Sequence, residues 1–171
     1  MGRRRDPLLR HVAGGLVIAA VAFLTACADR PAPAYLRLDA EAPRVADAPA
    51  ARALLVVFWA SWCPPCRTEA PSLRKLAENP PGNFAVVVFG HDESPADVRR
   101  FFGGEPPAAW RFRADADRAA ARAFGVDALP SSTLIVDGRA KARFAGPRDW
   151  DAREMRRLLE RLIAEGAAAR R

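Results

Sequence analysis

Two cysteines lie two residues apart in this chain, Cys63-Pro64-Pro65-Cys66, and the 171 residues contain one other, Cys27. Thiols at that spacing can hold half of a zinc site, form a structural disulfide, or exchange a disulfide with another molecule. Tetrahedral zinc needs further ligands. The only histidine beyond the first 26 residues is His91, with no spare cysteine beside it, so no metal is expected. A bridge across two residues closes a very small loop and constrains the unfolded chain little. The pair is therefore read as present for its chemistry. Disulfide exchange runs through a thiolate, which requires a cysteine pKa below the usual ~8.5.

The surrounding elements place the pair. Residues 54–59 are an unbroken apolar run, as in a central strand buried on both faces. Residues 63–77 follow as a helix, with Pro64 and Pro65 at its start, where a missing N–H costs nothing. Cys63 then stands where a buried strand meets a helix N-terminus, and the dipole and free N–H groups there favour a thiolate. Cys63 is expected to attack, and Cys66, one turn on and inside, to resolve. A second apolar strand spans 84–90, after the turn Pro80-Pro81-Gly82-Asn83. Ser94 caps a helix running to about Phe102. Residues 110–113 read as a short strand and 117–124 as a short helix closed by Gly125. Strands at 132–136 and 141–145 flank Asp137-Gly138, a hairpin signal. An amphipathic helix spans 149–164, with Met155, Leu158, Leu159 and Leu162 on one face, closed by Gly166. This order predicts an α/β fold, a mixed sheet with helices on both faces.

One residue of the first helix is out of place. At about 100° per residue, Cys66, Glu69, Ala70, Leu73, Leu76 and Ala77 share a face, which sets a carboxylate among core positions. Glu69 either bends out to solvent near Pro71 or is a buried acid near Cys66. Burial would raise its pKa and suit it to take the Cys66 proton.

The run Phe58-Trp59-Ala60-Ser61-Trp62-Cys63-Pro64-Pro65-Cys66 resembles the active-site signature of the thioredoxin superfamily. Phe124-Gly125-Val126 before Leu129-Pro130-Ser131, the strand and Asp-Gly turn after it, and Asp92-Glu93-Ser94 resemble its TlpA/ResA-like exported branch. The likeness covers roughly residues 53–163 and implies a thioredoxin-like three-layer α/β/α domain with a central mixed sheet. It implies an exported thiol–disulfide oxidoreductase, mostly reducing, whose only redox group is the Cys63–Cys66 disulfide and which needs no other cofactor. Pro130 would be a cis-proline against the cysteines, with the Leu129 backbone free to pair with an extended substrate. Trp62, Pro64 and Pro65 would border the substrate. The implied partners are extracytoplasmic protein disulfides, apocytochrome c among them, and a membrane thiol transporter as electron donor; the chain is expected to be a monomer. Thioredoxin's buried aspartate is replaced by Val57, a gap that Glu69 could fill. Ser131 stands where the dedicated cytochrome-maturation members have a glutamate, which favours a general reductase. The stretch before residue 54 matches the family poorly. Oxidase and isomerase readings stay open, because potential depends on thiolate stability. Copper metallochaperones share the fold but use a wider cysteine spacing and a distal histidine, and His91 is more simply a loop-edge residue.

The first 26 residues read as a signal peptide. Arg3, Arg4, Arg5 and Arg10 precede an uncharged run over 12–26, only ~22 Å as a helix and short for ~30 Å of hydrocarbon. It ends in Leu24-Thr25-Ala26-Cys27, which resembles the bacterial lipobox, so Cys27 is the expected lipid attachment point and the protein an extracytoplasmic, membrane-anchored lipoprotein. An ordinary signal peptide or an uncleaved anchor are the alternatives. Residues 27–52, rich in Ala, Pro and Arg, are expected as a tether with one short strand near 35–38, residues 53–165 as the domain and 166–171 as a tail. The net charge of +7 would be +4 without residues 1–26. Its basic residues are spread along the chain rather than gathered in a stripe, so nucleic acid is not an expected partner.

Overall fold

The computed structural model describes residues 34–92 and 94–168. The expected signal peptide, the lipid attachment at Cys27, and Glu93 lie outside the described residues. Six strands form one mixed sheet in the order β1-β6-β5-β2-β3-β4. They are β1 (Leu36–Glu41), β2 (Ala53–Trp59), β3 (Phe84–Gly90), β4 (Arg113–Ala114), β5 (Ser131–Val136) and β6 (Arg139–Ala145). Strands β2, β3 and β4 are parallel neighbours, whereas β5 runs antiparallel to β2, and β6 to β5 and β1. The helices are α1 (Pro64–Glu78), α2 (Pro95–Phe102), α3 (Ala119–Ala123) and α4 (Arg153–Ala168).

Side-chain alternation on β2 builds both faces of the core. Leu55, Val57 and Trp59 join a cluster with Ala70, Leu73 and Leu76 of α1 and Met155, Leu158, Leu159 and Leu162 of α4. Val56 and Phe58 point the other way, to Ala121, Phe124 and Ile135. The central strand is buried on both sides, and the three-layer α/β/α expectation holds.

Several boundaries differ from the sequence reading, each for a physical reason. The strand expected at 110–113 is a 3-10 turn, Ala108–Trp110, followed by the two-residue β4. Trp110 is wholly buried against Trp59 and Phe102, and Arg111 at φ 47° breaks any extended run there. The short helix begins only at Ala119, because Arg118 is left-handed and the Asp115 carboxylate accepts from the amides of Ala120 and Ala121. The last helix starts at Arg153 and continues through Gly166 rather than closing on it, so the segment read as a tail from 166 opens helically. The strand near 35–38 is Leu36–Glu41, and it pairs with β6 as a sheet edge instead of lying free in a tether. In the β5–β6 hairpin Asp137 and Gly138 both have positive φ (55° and 80°), the type I′ pattern the Asp-Gly pair signals.

Candidate active site

Strand β2 ends at Trp59, and the turn Ala60-Ser61-Trp62 delivers Cys63 to the N-cap of α1. Cys63 is extended (φ −87°, ψ 109°), and its Sγ accepts from the Cys66 amide at 3.3 Å. Pro64 and Pro65 fill the first two helical positions, where no N–H partner is required. Cys63 and Cys66 are joined in a disulfide, their Cα atoms 5.2 Å apart. Cys63 retains a trace of exposure (4%), whereas Cys66 has none.

The strand-to-helix turn is held from beneath. The Ser61 amide donates to both oxygens of the buried Asp92 carboxylate, at 3.0 and 3.1 Å, and its hydroxyl bonds the same group. The β2–β3 register accounts for this, because Trp59 pairs with Gly90 and the His91 amide donates to the Trp59 carbonyl at 2.8 Å. The sequence reading used Asp92 only as part of a resemblance and missed its task. An acid just past the end of the strand parallel to β2 was the available signal.

Glu69 does not bend outward. It is 2% exposed, and its Oε2 accepts from the Arg148 amide and the Trp150 indole N–H, each at 3.1 Å. Burial pushes its carboxyl up to about 7, against the opposing pull of those two donors. Sequence reasoning placed Glu69 correctly but did not find Trp150, which is distant in the chain and looks like an ordinary core residue.

The Leu129–Pro130 peptide is cis, as the resemblance implied. Pairing of Ser131 with Phe58 puts Pro130 beside the end of β2, and Leu129 packs on the cluster containing both cysteines. Trp62 is 57% exposed and walls a groove of about 740 Å³ with Ser61, Arg67 and Phe101. Pro64 is exposed and Pro65 half-buried at the same edge. His91, expected at a loop edge, is instead a buried side chain 3.2 Å from Asp115 and edge-on to Phe58. Its pKa is lowered, first by that burial.

The site thus joins an oxidisable cysteine pair at a helix start, a buried acid one turn on, and a cis-proline beside the feeding strand. The Redoxin family model matches residues 30–159. The chain belongs to the Redoxin family. Among its members' relatives, the thiol:disulfide interchange protein HelX of Rhodobacter capsulatus is 36% identical over 132 residues, 74% of this chain and 72% of that protein. The thiol:disulfide interchange protein DsbE homolog of Paracoccus denitrificans is 38% identical over 65% of this chain and 62% of its own length. A Chlorobium tepidum structure assigned as DsbE superposes with a TM-score of 0.55 at 28% identity, covering 68% of this chain and 80% of that one. StoA from Bacillus subtilis shares the fold (TM-score 0.53, 20% identity, 77% and 98% covered). This Redoxin protein is a thiol–disulfide oxidoreductase, and its structure carries an oxidisable cysteine pair, Cys63 and Cys66.

Proposed function

We propose that the protein is an exported, lipid-anchored reductase that opens disulfides in extracytoplasmic proteins, apocytochrome c among the candidate substrates. The observation that carries this reading is the Cys63–Cys66 disulfide at the N-cap of α1, in which Cys63 keeps a trace of exposure and Cys66 has none. Helix amides and the dipole at that position favour the Cys63 thiolate, which attacks the substrate disulfide. One substrate sulfur leaves as a thiolate and the other stays bonded to Cys63. Glu69 takes the Cys66 proton, and the Cys66 thiolate then attacks Cys63 Sγ, closing the intramolecular disulfide and releasing the second substrate thiolate. The substrate chain lies along Leu129 and Pro130, bordered by Trp62, Pro64 and Pro65. A membrane thiol transporter returns two electrons, and the protein works as a monomer tethered through Cys27.

The deciding experiment is the equilibrium of the Cys63–Cys66 pair against a glutathione series. A potential in the thioredoxin range, near −270 mV, supports a reductase. A value near −120 mV, where strong oxidants lie, would make it an oxidase instead.

A further inference from the structure

Residues 146–150, which follow β6, bridge two parts of the active site. At one end the Gly146 amide donates to the Pro130 carbonyl at 2.9 Å. At the other, the Arg148 amide and the Trp150 indole N–H converge on a single oxygen of Glu69. The Ser72 hydroxyl accepts from the Trp150 amide at 3.1 Å and fastens the segment to α1. The Trp150 ring is wholly buried and packed edge-on against Phe144, with centroids 5.3 Å apart, so it has no room to swing away.

The two carboxylate oxygens are therefore unequal. Oε2 has two donors, whereas Oε1 is buried without a hydrogen-bond partner. A buried oxygen left unpaired is costly, and a carboxylate oxygen has lone pairs for more than one donor. Reduction of the disulfide creates a new buried donor one turn back on the same helix face, the Cys66 S–H. We infer that Trp150 is a positioning residue for the proton transfer: with the Arg148 amide it occupies Oε2, so that Oε1 is the oxygen that receives the Cys66 proton.

This rests on the proposed role of Glu69 and adds a donor that sets when Glu69 can act. The Cys66 sulfur loses its proton to Oε1, then bonds to Cys63 as the Cys63–substrate bond breaks. The proton leaves from Glu69 through a cleft of about 590 Å³ between α1 and the bridging segment. The charged groups on that cleft are Lys75, Arg148, Asp149 and Asp151. The Arg148 guanidinium is occupied by the carbonyls of Pro147 and Ala34.

The test follows resolution of a preformed mixed disulfide by stopped flow between pH 5 and 9. Trp150→Phe removes a donor that favours the charged carboxylate, so the pH midpoint for resolution should rise by half to one unit, a three- to tenfold slowing below the midpoint. The rate should recover at pH 9. Ser72→Ala loosens the same segment without touching Oε2 and should leave the midpoint in place, and Trp150→Phe should add no further shift to Glu69→Gln. If Glu69→Gln alters the profile while Trp150→Phe superimposes on wild type, the Trp150 inference falls and the Glu69 reading stands. If Glu69→Gln has no effect, both fall. Should Trp150→Phe not fold, the indole N–H resonance of Trp150 in the unaltered protein must titrate with the kinetic midpoint, and a resonance that stays fixed overturns the inference.

Discussion

The indole N–H of Trp59, at the end of β2, donates to the carbonyl of Cys66 in the first turn of α1 at 2.8 Å. One side chain thereby ties together the strand and the helix on either side of Cys63. Trp59 is wholly buried, stacked on Phe102 and edge-on to Trp110. Trp59→Phe should keep most of that packing but remove the donor, at a cost of about 1–3 kcal/mol. The urea midpoint should fall with an unchanged slope. A midpoint equal to wild type would show that the bond contributes nothing net.

The two cysteines should separate in trapping experiments because Cys63 caps the helix N-terminus and keeps a trace of exposure, whereas Cys66 is wholly buried. Cys66→Ser leaves the attacking thiol without its resolving partner, and mixed disulfides with substrates should accumulate several-fold on non-reducing gels. Cys63→Ser should trap almost none. Equal trapping by both variants would reverse the assignment of roles.

Membrane attachment is expected to depend on Cys27. A single acyl chain binds membranes only marginally, so stable anchoring needs more than one. Cys27→Ser should move most of the protein from the membrane fraction to the soluble one. Retention of the variant in membranes, with residues 12–26 still present by mass, would establish an uncleaved anchor instead.

The sequence was most informative where one local rule acted alone. The apolar run of β2, the prolines opening α1 and the Asp-Gly hairpin each set their own geometry, and the structure follows them. The cis bond before Pro130 was legible only through resemblance, since nothing local to Leu129 demands it. The Ser61–Asp92 bonds and the Trp150–Glu69 bond were hidden because their partners are 31 and 81 residues apart, joined only by sheet register and the return of the chain after β6. The 3-10 turn at Trp110 was misread because an aromatic next to basic residues suits a strand equally well. What decided it was the tertiary pocket made by Trp59 and Phe102.

Gly166 illustrates the same limit and yields a test of sign. A glycine near a helix end reads as a stop, yet this one lies inside α4 against β5. A Cβ there would fall 2.8 Å from Cγ1 and 3.2 Å from Cβ of Val136. Helix propensity alone favours alanine over glycine by roughly 0.5–1 kcal/mol. Overpacking of a tight contact costs about 1–3 kcal/mol and should win. Gly166→Ala is therefore expected to lower the thermal midpoint by several degrees, and a rise would mean that α4 shifts without cost.

Glu69 should also make stability depend on pH in a definite direction. Its carboxyl is raised in the folded protein from 4.5 to about 7, chiefly by burial. Below pH 4.5 the group is protonated in both folded and unfolded chains, and no penalty arises. As pH climbs through the window between those values, the unfolded chain ionises freely while the folded one resists. Stability contributed by the neutral acid is thus fully present at the low end and lost by about pH 7, a difference on the order of 3 kcal/mol. Glu69→Gln cannot ionise, so the difference between its stability and that of wild type should grow in the variant's favour from pH 4.5 to 7 and then level off. His91, whose pKa is lowered by burial, acts with the opposite sign below its ordinary 6.5. It is present in both proteins, so it cancels in the difference. Urea denaturation of both proteins at half-unit steps from pH 4.5 to 8.5 measures that curve. Parallel stabilities across the window would mean that Glu69 ionises in the folded protein as easily as in the unfolded chain, and its candidacy as the proton acceptor for Cys66 would go with it.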